Sequence, residues 1–294
     1  MQIVLGVFEQ GIIYAIMAMG VYITYRILDF PDLTVDGSFP LGGAVGVSMI
    51  TAGMSPVLAL PAAFAAGAVA GMLTGIIHVK FKIRNLIASI IMMTALYTVN
   101  LRITGRANVP IFTYDTIFRN AFVEKYLPGA LAPFATLIII AAVALVLKLA
   151  IDWYLKTKSG YLLRAVGSNQ TLVTTLAKDK GTVIIIGLSI ANGLVATAGC
   201  VMTQWQGVFD ITLGTGTVVI GLASVIVGTS LFRRFRFVKP TTAVIVGSIL
   251  YRAAVALAIL YGLAASDMKL ITAALLFVIL VMGMERTKKV KSDA

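Results

Sequence analysis

Apolar runs long enough to cross a bilayer recur along the whole chain, leaving only short polar stretches between them. Few architectures tolerate this. A chain of 294 residues that is 59% hydrophobic and only 12% charged has far more apolar surface than a soluble core can enclose. Lipid must solvate much of it, and about 20 apolar residues per helix is the length that a bilayer demands. The expectation is an all-α polytopic membrane protein.

Nine spans are expected, at 3–27, 39–54, 57–79, 86–103, 134–151, 182–204, 218–232, 241–261 and 270–284. The first carries Glu9, lacks a basic start and is too long for a signal peptide. Gly67, Gly71 and Gly75 lie four apart and mark a close helix contact. The sixth span is expected to be interrupted at Asn192-Gly193. In the stretch 105–133, Phe112, Tyr114, Phe118, Phe122 and Tyr126 suggest a part-helical segment at the membrane interface.

Between the first two spans stands Asp32-Leu33-Thr34-Val35, followed by Asp36-Gly37-Ser38. A degraded copy, Asp210-Ile211-Thr212-Leu213, precedes Gly214-Thr215-Gly216. Sliding the first four spans by the same offset lands close to the sixth through ninth. The two units begin an odd number of spans apart, so they insert with opposite orientation. The reading is a 4+1+4 inverted repeat, with broken or re-entrant segments near 29–38 and 204–217. Repeat one covers about 3–104, followed by an outer loop at 105–133 and a linking helix at 134–151. A cytoplasmic coupling loop at 152–181 then leads to repeat two at about 182–284 and a cytoplasmic tail at 285–294. Most of the 24 Lys and Arg residues fall on one side of this topology, which puts the N-terminus outside and the C-terminus inside. The basic excess is thus a topology signal rather than a nucleic-acid one.

No phosphate-binding Gly-Lys pair occurs, so this chain is not itself a standard ATPase. One His and one Cys, His78 and Cys200, offer neither a metal site nor a catalytic triad. What remains are ionisable and polar groups in or beside spans, which are functional candidates because lipid penalises them. They are Glu9, Asp32, Thr34, Asp36, Asn100, Asp210, Thr212 and Arg252, taken as lining or gating a translocation path. For Glu9 and Arg252 a structural ion pair, or snorkelling towards an interface, is an equal alternative. For Asp32 and Asp210, with Thr34 and Thr212, capping of broken helices explains Asp and Thr together better than direct solute contact does. The motif then marks hinges of a path, the first nearer the inner face and its copy nearer the outer. On the cytoplasmic side, apolar Leu162, Leu163, Val166, Leu172, Val173 and Leu176 alternate with polar residues, as in one or two short amphipathic helices that either dock a partner or form a solvated or membrane-lying loop.

The run from Gly11 to Tyr22, followed by the motif Asp32 to Ser38, resembles permease subunits of bacterial ATP-binding-cassette (ABC) importers, and Arg26-Ile27-Leu28-Asp29-Phe30-Pro31-Asp32 looks like a signature of their tryptophan/tyrosine-type branch. The group is the branched-chain amino acid and ribose permease family. Met93-Thr94-Ala95-Leu96-Tyr97 and Asn100-Leu101-Arg102-Ile103 look most like its tryptophan/tyrosine-type branch, and Leu163-Arg164-Ala165-Val166-Gly167 resembles the family's coupling sequence. The resemblance covers essentially the whole chain and implies a bacterial cytoplasmic membrane. Its implied partners are a second permease copy, a cytoplasmic ATPase dimer and an external solute-binding protein received by loop 105–133. It implies no cofactor on this chain, with ATP and Mg on the ATPase, and ATPase docking through Leu162, Leu163, Arg164, Ala165, Val166, Gly167, Ser168 and Asn169. The cargo would be a small solute, an amino acid and an aromatic one on the likeness of that branch. The residues alone leave two alternatives open. One is an ion-coupled secondary transporter with Glu9 and Arg252 as a proton relay; the other is a structural membrane anchor.

Overall fold

The computed structural model describes residues 2–120, 134–168, 179–233, 235, 237–261, 270, 272–274 and 277. Among these residues, seven helices are long and apolar enough to cross a membrane. The molecule is a polytopic, mostly helical membrane protein, with one small two-stranded ribbon among the described residues.

Helix α1 (Gln2–Val21) runs without a break into a π-helical turn, Tyr22–Ile27. The chain then reverses through 28–34, where Asp29 takes a left-handed φ of 52°. It re-enters as α2 (Val35–Thr51), followed by α3 (Ala59–Lys80) and α4 (Asn85–Thr104). Strand β1 (Asn108–Pro110) comes next, then α5 (Ala135–Tyr154) and a short α6 (Lys158–Ser168). Helix α7 (Lys180–Gln206) leads to strand β2 (Val208–Asp210), a 3-10 turn (Ile211–Gly214), α8 (Thr217–Leu231) and α9 (Pro240–Leu260).

Helix α7 is the post around which the rest is built. Its 27 residues span roughly 40 Å at 1.5 Å per residue, and it is buried along most of its length. Small residues let its neighbours come close, which matters because lipid supplies no hydrophobic drive between helices and contact depends on packing. A Cβ on Gly42 would strike the Ala196 carbonyl, and one on Gly71 the Leu188 carbonyl. The order of contacts sets direction. Ser38 meets Asn192 and Gly46 meets Cys200, so α2 runs parallel to α7. Gly67 meets Asn192 and Gly75 meets Ile185, so α3 runs antiparallel. Helix α1 is antiparallel too: Glu9 meets Trp205, Gly20 meets Ala191, and Leu28 meets Gly187.

At one end of the bundle, Asp152 joins α5 to α9. It pairs with Lys148 at 3.0 Å and Lys239 at 3.1 Å, and accepts the Thr241 hydroxyl proton at 2.6 Å. Asp179 caps α7, accepting from the Thr182 hydroxyl and from the amides of Gly181 and Thr182. These bonds, the Thr182 hydroxyl first, hold its carboxyl below the usual carboxylate range.

Two expectations change. Helix α7 passes through Asn192-Gly193 without interruption. Asn192 donates to the Leu188 carbonyl inside its own helix and spends its remaining capacity on neighbours. Gly193 lies against the Phe64 ring. The described part of the outer stretch, 105–120, holds no helix: its one regular element is the strand 108–110, which pairs antiparallel with 208–210 in the register Asn108↔Asp210, and turns and bends make up the rest. Phe122 and Tyr126 lie outside the described residues, as do most of the expected span 270–284 and Asn169 of the coupling segment.

Candidate functional site where two broken helices meet

The first break is held by buried hydrogen bonds. Asp32 Oδ1 accepts the Thr34 amide proton at 2.9 Å, tightening the turn that leads into α2. Asp32 Oδ2 accepts from Asn192 Nδ2 at 2.8 Å, and Asn192 Oδ1 accepts from the Ser38 hydroxyl at 2.8 Å. One amide thus clamps both sides of the start of α2. The Thr34 and Thr74 hydroxyls share a hydrogen bond at 2.9 Å, tying the same turn to α3. Asp32, Thr34, Ser38, Thr74 and Asn192 are all buried. Asn192 stands roughly 18 Å along α7 from Lys180, about halfway, so this cluster lies deep between the helix ends.

The second break repeats the local geometry. Asp210 Oδ1 accepts the Thr212 amide proton at 2.7 Å and the Thr212 hydroxyl proton at 2.6 Å. Thr34 and Thr212 thus differ from the expected capping acceptors: Thr212 donates to its aspartate, and Thr34 bonds to α3. Asp210 is half-buried at the end of the ribbon and Thr212 is exposed in the 3-10 turn that Asp210 caps. The Ile211 amide donates to the Ala107 carbonyl at 2.9 Å.

Asp36 joins the two breaks. Its carboxylate accepts from the Gly216 amide at 3.0 Å, the Val218 amide at 2.8 Å and the Thr217 hydroxyl at 3.0 Å. Gly216, at φ 84°, occupies the N-cap position of α8 and has no side chain to cap it. Asp36 supplies that cap from the other half of the chain and also complements the helix dipole. Pro40 lacks the N–H that would bond the Asp36 carbonyl, and Gly214 packs directly on that carbonyl. The two broken segments therefore interlock around one residue.

Helix α4 closes the third side. Asn100, fully buried, donates from Nδ2 to the Gly37 carbonyl at 3.1 Å, while its Oδ1 has no hydrogen-bond partner. Between α2, α4 and the 3-10 turn lies a cavity of about 200 Å³ whose wall includes Asp36, Asn100, Met93 and Tyr97.

Glu9 and Arg252 stand apart from this cluster. Glu9 accepts from the Trp205 indole at 3.0 Å, and the Arg252 guanidinium lies 5.3 Å from the Tyr14 ring centroid. The Tyr14 ring stacks on Phe39 at 6.1 Å. Neither group joins an ion pair among the described residues. In α6, Leu163 and Val166 are buried and Arg164 is exposed, and Gly167 packs against the Ile27 carbonyl at the end of the π turn. Ser168 ends that helix, and Leu162 and Ala165 are half-buried along it.

Sequence reading missed Asn192, Ser38, Thr74 and Thr217. At Asn192 a polar residue in an apolar run reads as a break, whereas the structure keeps the helix intact there. No local pattern pairs Asp36 with Thr217.

Residues 3–281 match the family described as branched-chain amino acid transport system, permease component. The chain belongs to this family. Within it, the tyrosine transport system permease protein of Clostridioides difficile is 41% identical over 280 residues, covering 95% of this chain and 91% of that one. An uncharacterised protein of Rickettsia prowazekii is 32% identical, over 95% and 96% of the two chains. The ribose import permease of Haemophilus influenzae is more distant, 26% identical over 76% of this chain and 68% of its own length. No solved structure matches the chain significantly. The chain is therefore a transport permease rather than an enzyme.

Proposed function

We propose that this chain is the membrane subunit of an ATP-driven importer that moves an amino acid, an aromatic one, inward across the bacterial cytoplasmic membrane. It works as a pair with a second copy. A cytoplasmic ATPase dimer binds ATP and Mg, and an external binding protein delivers the solute. The observation that carries this reading is the interlock at Asp36. Two helices that start inside the bundle meet there, and broken backbone at membrane depth is tolerated where it is buried in protein or lines a cavity.

Other features support it. The matched Asp-Thr turns and the antiparallel packing of α1 on α7 are what a 4+1+4 inverted repeat of nine spans would give, with the N-terminus outside. On this reading the segments 3–104 and 182–284 are the two repeats, linked by 105–181. Helix α6 presents Tyr161, 61% exposed, and Arg164 on one side. Its buried side grips the π turn just before the first break. A push on 162–169 would reach Asp32 and Asn192 through Leu28. The tyrosine permease relative supports the cargo.

The test is reconstitution of the chain with its ATPase and binding protein in proteoliposomes. Labelled tyrosine should accumulate only with ATP, and Gly167→Leu, which wedges α6 from the π turn, should uncouple hydrolysis from uptake. Uptake driven by a proton gradient with no ATPase present would overturn the reading.

A further inference from the structure

We infer that the second copy of the permease packs on the exposed face of α4, around Thr94, Tyr97 and Thr98, and so closes the cavity beside Asp36. This rests on the pairing proposed above and names the surface that makes it.

Helices α4 and α5 are the two least buried of the seven spans, and their chemistry is opposite. Helix α5 has the highest mean hydropathy of the seven and α4 the lowest. Up to its last turn, α5 exposes only Ile138, Ala142, Leu145, Val146, Leu149 and Ala150, a face that lipid solvates. Helix α4 exposes Thr94, Tyr97 and Thr98 well inside the span. The Thr94 hydroxyl donates to the Ile90 carbonyl at 2.9 Å, while the Tyr97 and Thr98 hydroxyls have no hydrogen-bond partner among the described residues. Tyr97 stands about 10 Å short of the Thr104 end. Helical side chains lean toward the N-terminus, so its ring is carried away from that nearer membrane surface. Lipid tails give a hydroxyl nothing to bond, whereas a neighbouring helix does.

What covers this face must itself lie in the bilayer. The remaining expected span of this chain, 270–284, is engaged on another helix: the Thr272 hydroxyl accepts from the Tyr251 hydroxyl of α9 at 2.6 Å. Helix α4 packs instead on α2, α3 and the 3-10 turn. A second copy fits the face by its own chemistry. Thr94 and Thr98 lie four apart with Ala95 beside them, small residues that admit another backbone closely and hydroxyls that can bond across the contact. A two-fold axis here sets each residue near its own counterpart. Residues 86–101 carry no charge, so that approach brings no like charges together. Thr94 and Tyr97 also line the cavity of about 200 Å³ that reaches Asp36 and Thr212. The partner copy therefore completes a wall that touches both broken segments.

The experiment is disulfide trapping in the full assembly, reconstituted with its ATPase and binding protein in liposomes and oxidised with copper phenanthroline. Cys200, the sole cysteine, is buried, so an introduced surface thiol is the one that reacts. Thr94→Cys, Thr98→Cys and Ile91→Cys each place a thiol on the exposed face of α4, and Val146→Cys places one on α5. A disulfide needs Cα atoms within about 7 Å of each other. At least one of the three α4 variants should therefore run as a covalent permease dimer that reductant returns to monomer, while Val146→Cys and wild type should not. Uptake under reducing conditions identifies the variants that are correctly assembled, and three positions keep the answer from resting on one of them. Trapping through Val146→Cys, or no dimer from any of the α4 positions, would overturn the surface. ATP-driven uptake alongside either of those results would leave the importer reading standing. Trapping through α4 combined with gradient-driven uptake and no ATPase would do the opposite.

Discussion

The two breaks carry the same Asp-x-Thr turn and live in different surroundings. Around Asp32 the turn is buried and cross-bonded to two helices, through Asn192 and Thr74. Around Asp210 it is only half-buried, with Thr212 exposed, and hangs from a two-stranded ribbon. The helix that follows each break shows the same imbalance. The start of α2 is clamped by its own turn and by Asn192. The start of α8 borrows its cap from Asp36. One break is bolted to the central helix, and the other is hung from the first. A motif that occurs twice can thus keep its local hydrogen bond while its two occurrences take unequal structural loads.

That inequality sets the order of effects. The largest should come from Asn192→Leu, which strips Asp32 Oδ2 and Ser38 of their shared partner and leaves a buried carboxylate under-bonded. We expect a loss of about 3 kcal/mol, read as a lower unfolding temperature in detergent and as lost uptake. Asn192→Asp should be as damaging, since it sets a second carboxylate against Asp32. If Asn192→Leu unfolds like wild type, the first break is not bolted and the comparison fails. Gly214→Ala comes next. A Cβ there would run into the Asp36 carbonyl and Pro40, at about 1–3 kcal/mol for a forced repacking, and should shift uptake more than ATPase assembly. Asp36→Ala removes the borrowed cap, worth about 1–2 kcal/mol, and Asp36→Asn should recover part of it because an amide oxygen still accepts.

Much of this was legible in the sequence. Apolar length gave the seven spans seen among the described residues, because the bilayer imposes a fixed thickness, and the twice-occurring Asp-x-Thr motif marks both breaks to within a few residues. Composition could not reveal Asn192 as a clamp, since an Asn in an apolar run reads the same whether it breaks a helix or bonds out of it. The strand at 108–110 was equally hidden, because its partner lies about a hundred residues away. Of the eight path candidates, Asp32, Thr34, Asp36 and Asn100 surround the start of α2, and Asp210 and Thr212 form the turn facing it. Glu9 and Arg252 are engaged elsewhere, with Trp205 and Tyr14. Depth in a span made both look functional, yet depth does not say which way a side chain faces.

The smallest effect is the sharpest test of the comparison. Asp210→Ala removes two short hydrogen bonds, to the Thr212 amide and hydroxyl. Their energetic weight should still be small, because both groups are exposed and water or the ribbon can replace what is lost. A cost of about 0.5–1 kcal/mol is expected, at the low end for a cap. Asp32→Ala, the same substitution in the same motif, should cost several times more, because Asn192 and Thr34 sit where no water can stand in. The pair is best measured side by side in one detergent by thermal unfolding, with uptake as the second readout. If the two variants lose equal stability, the turn itself carries the load and burial does not. If Asp210→Ala loses more uptake than stability, the exposed turn is the part that moves while its buried counterpart stays fixed.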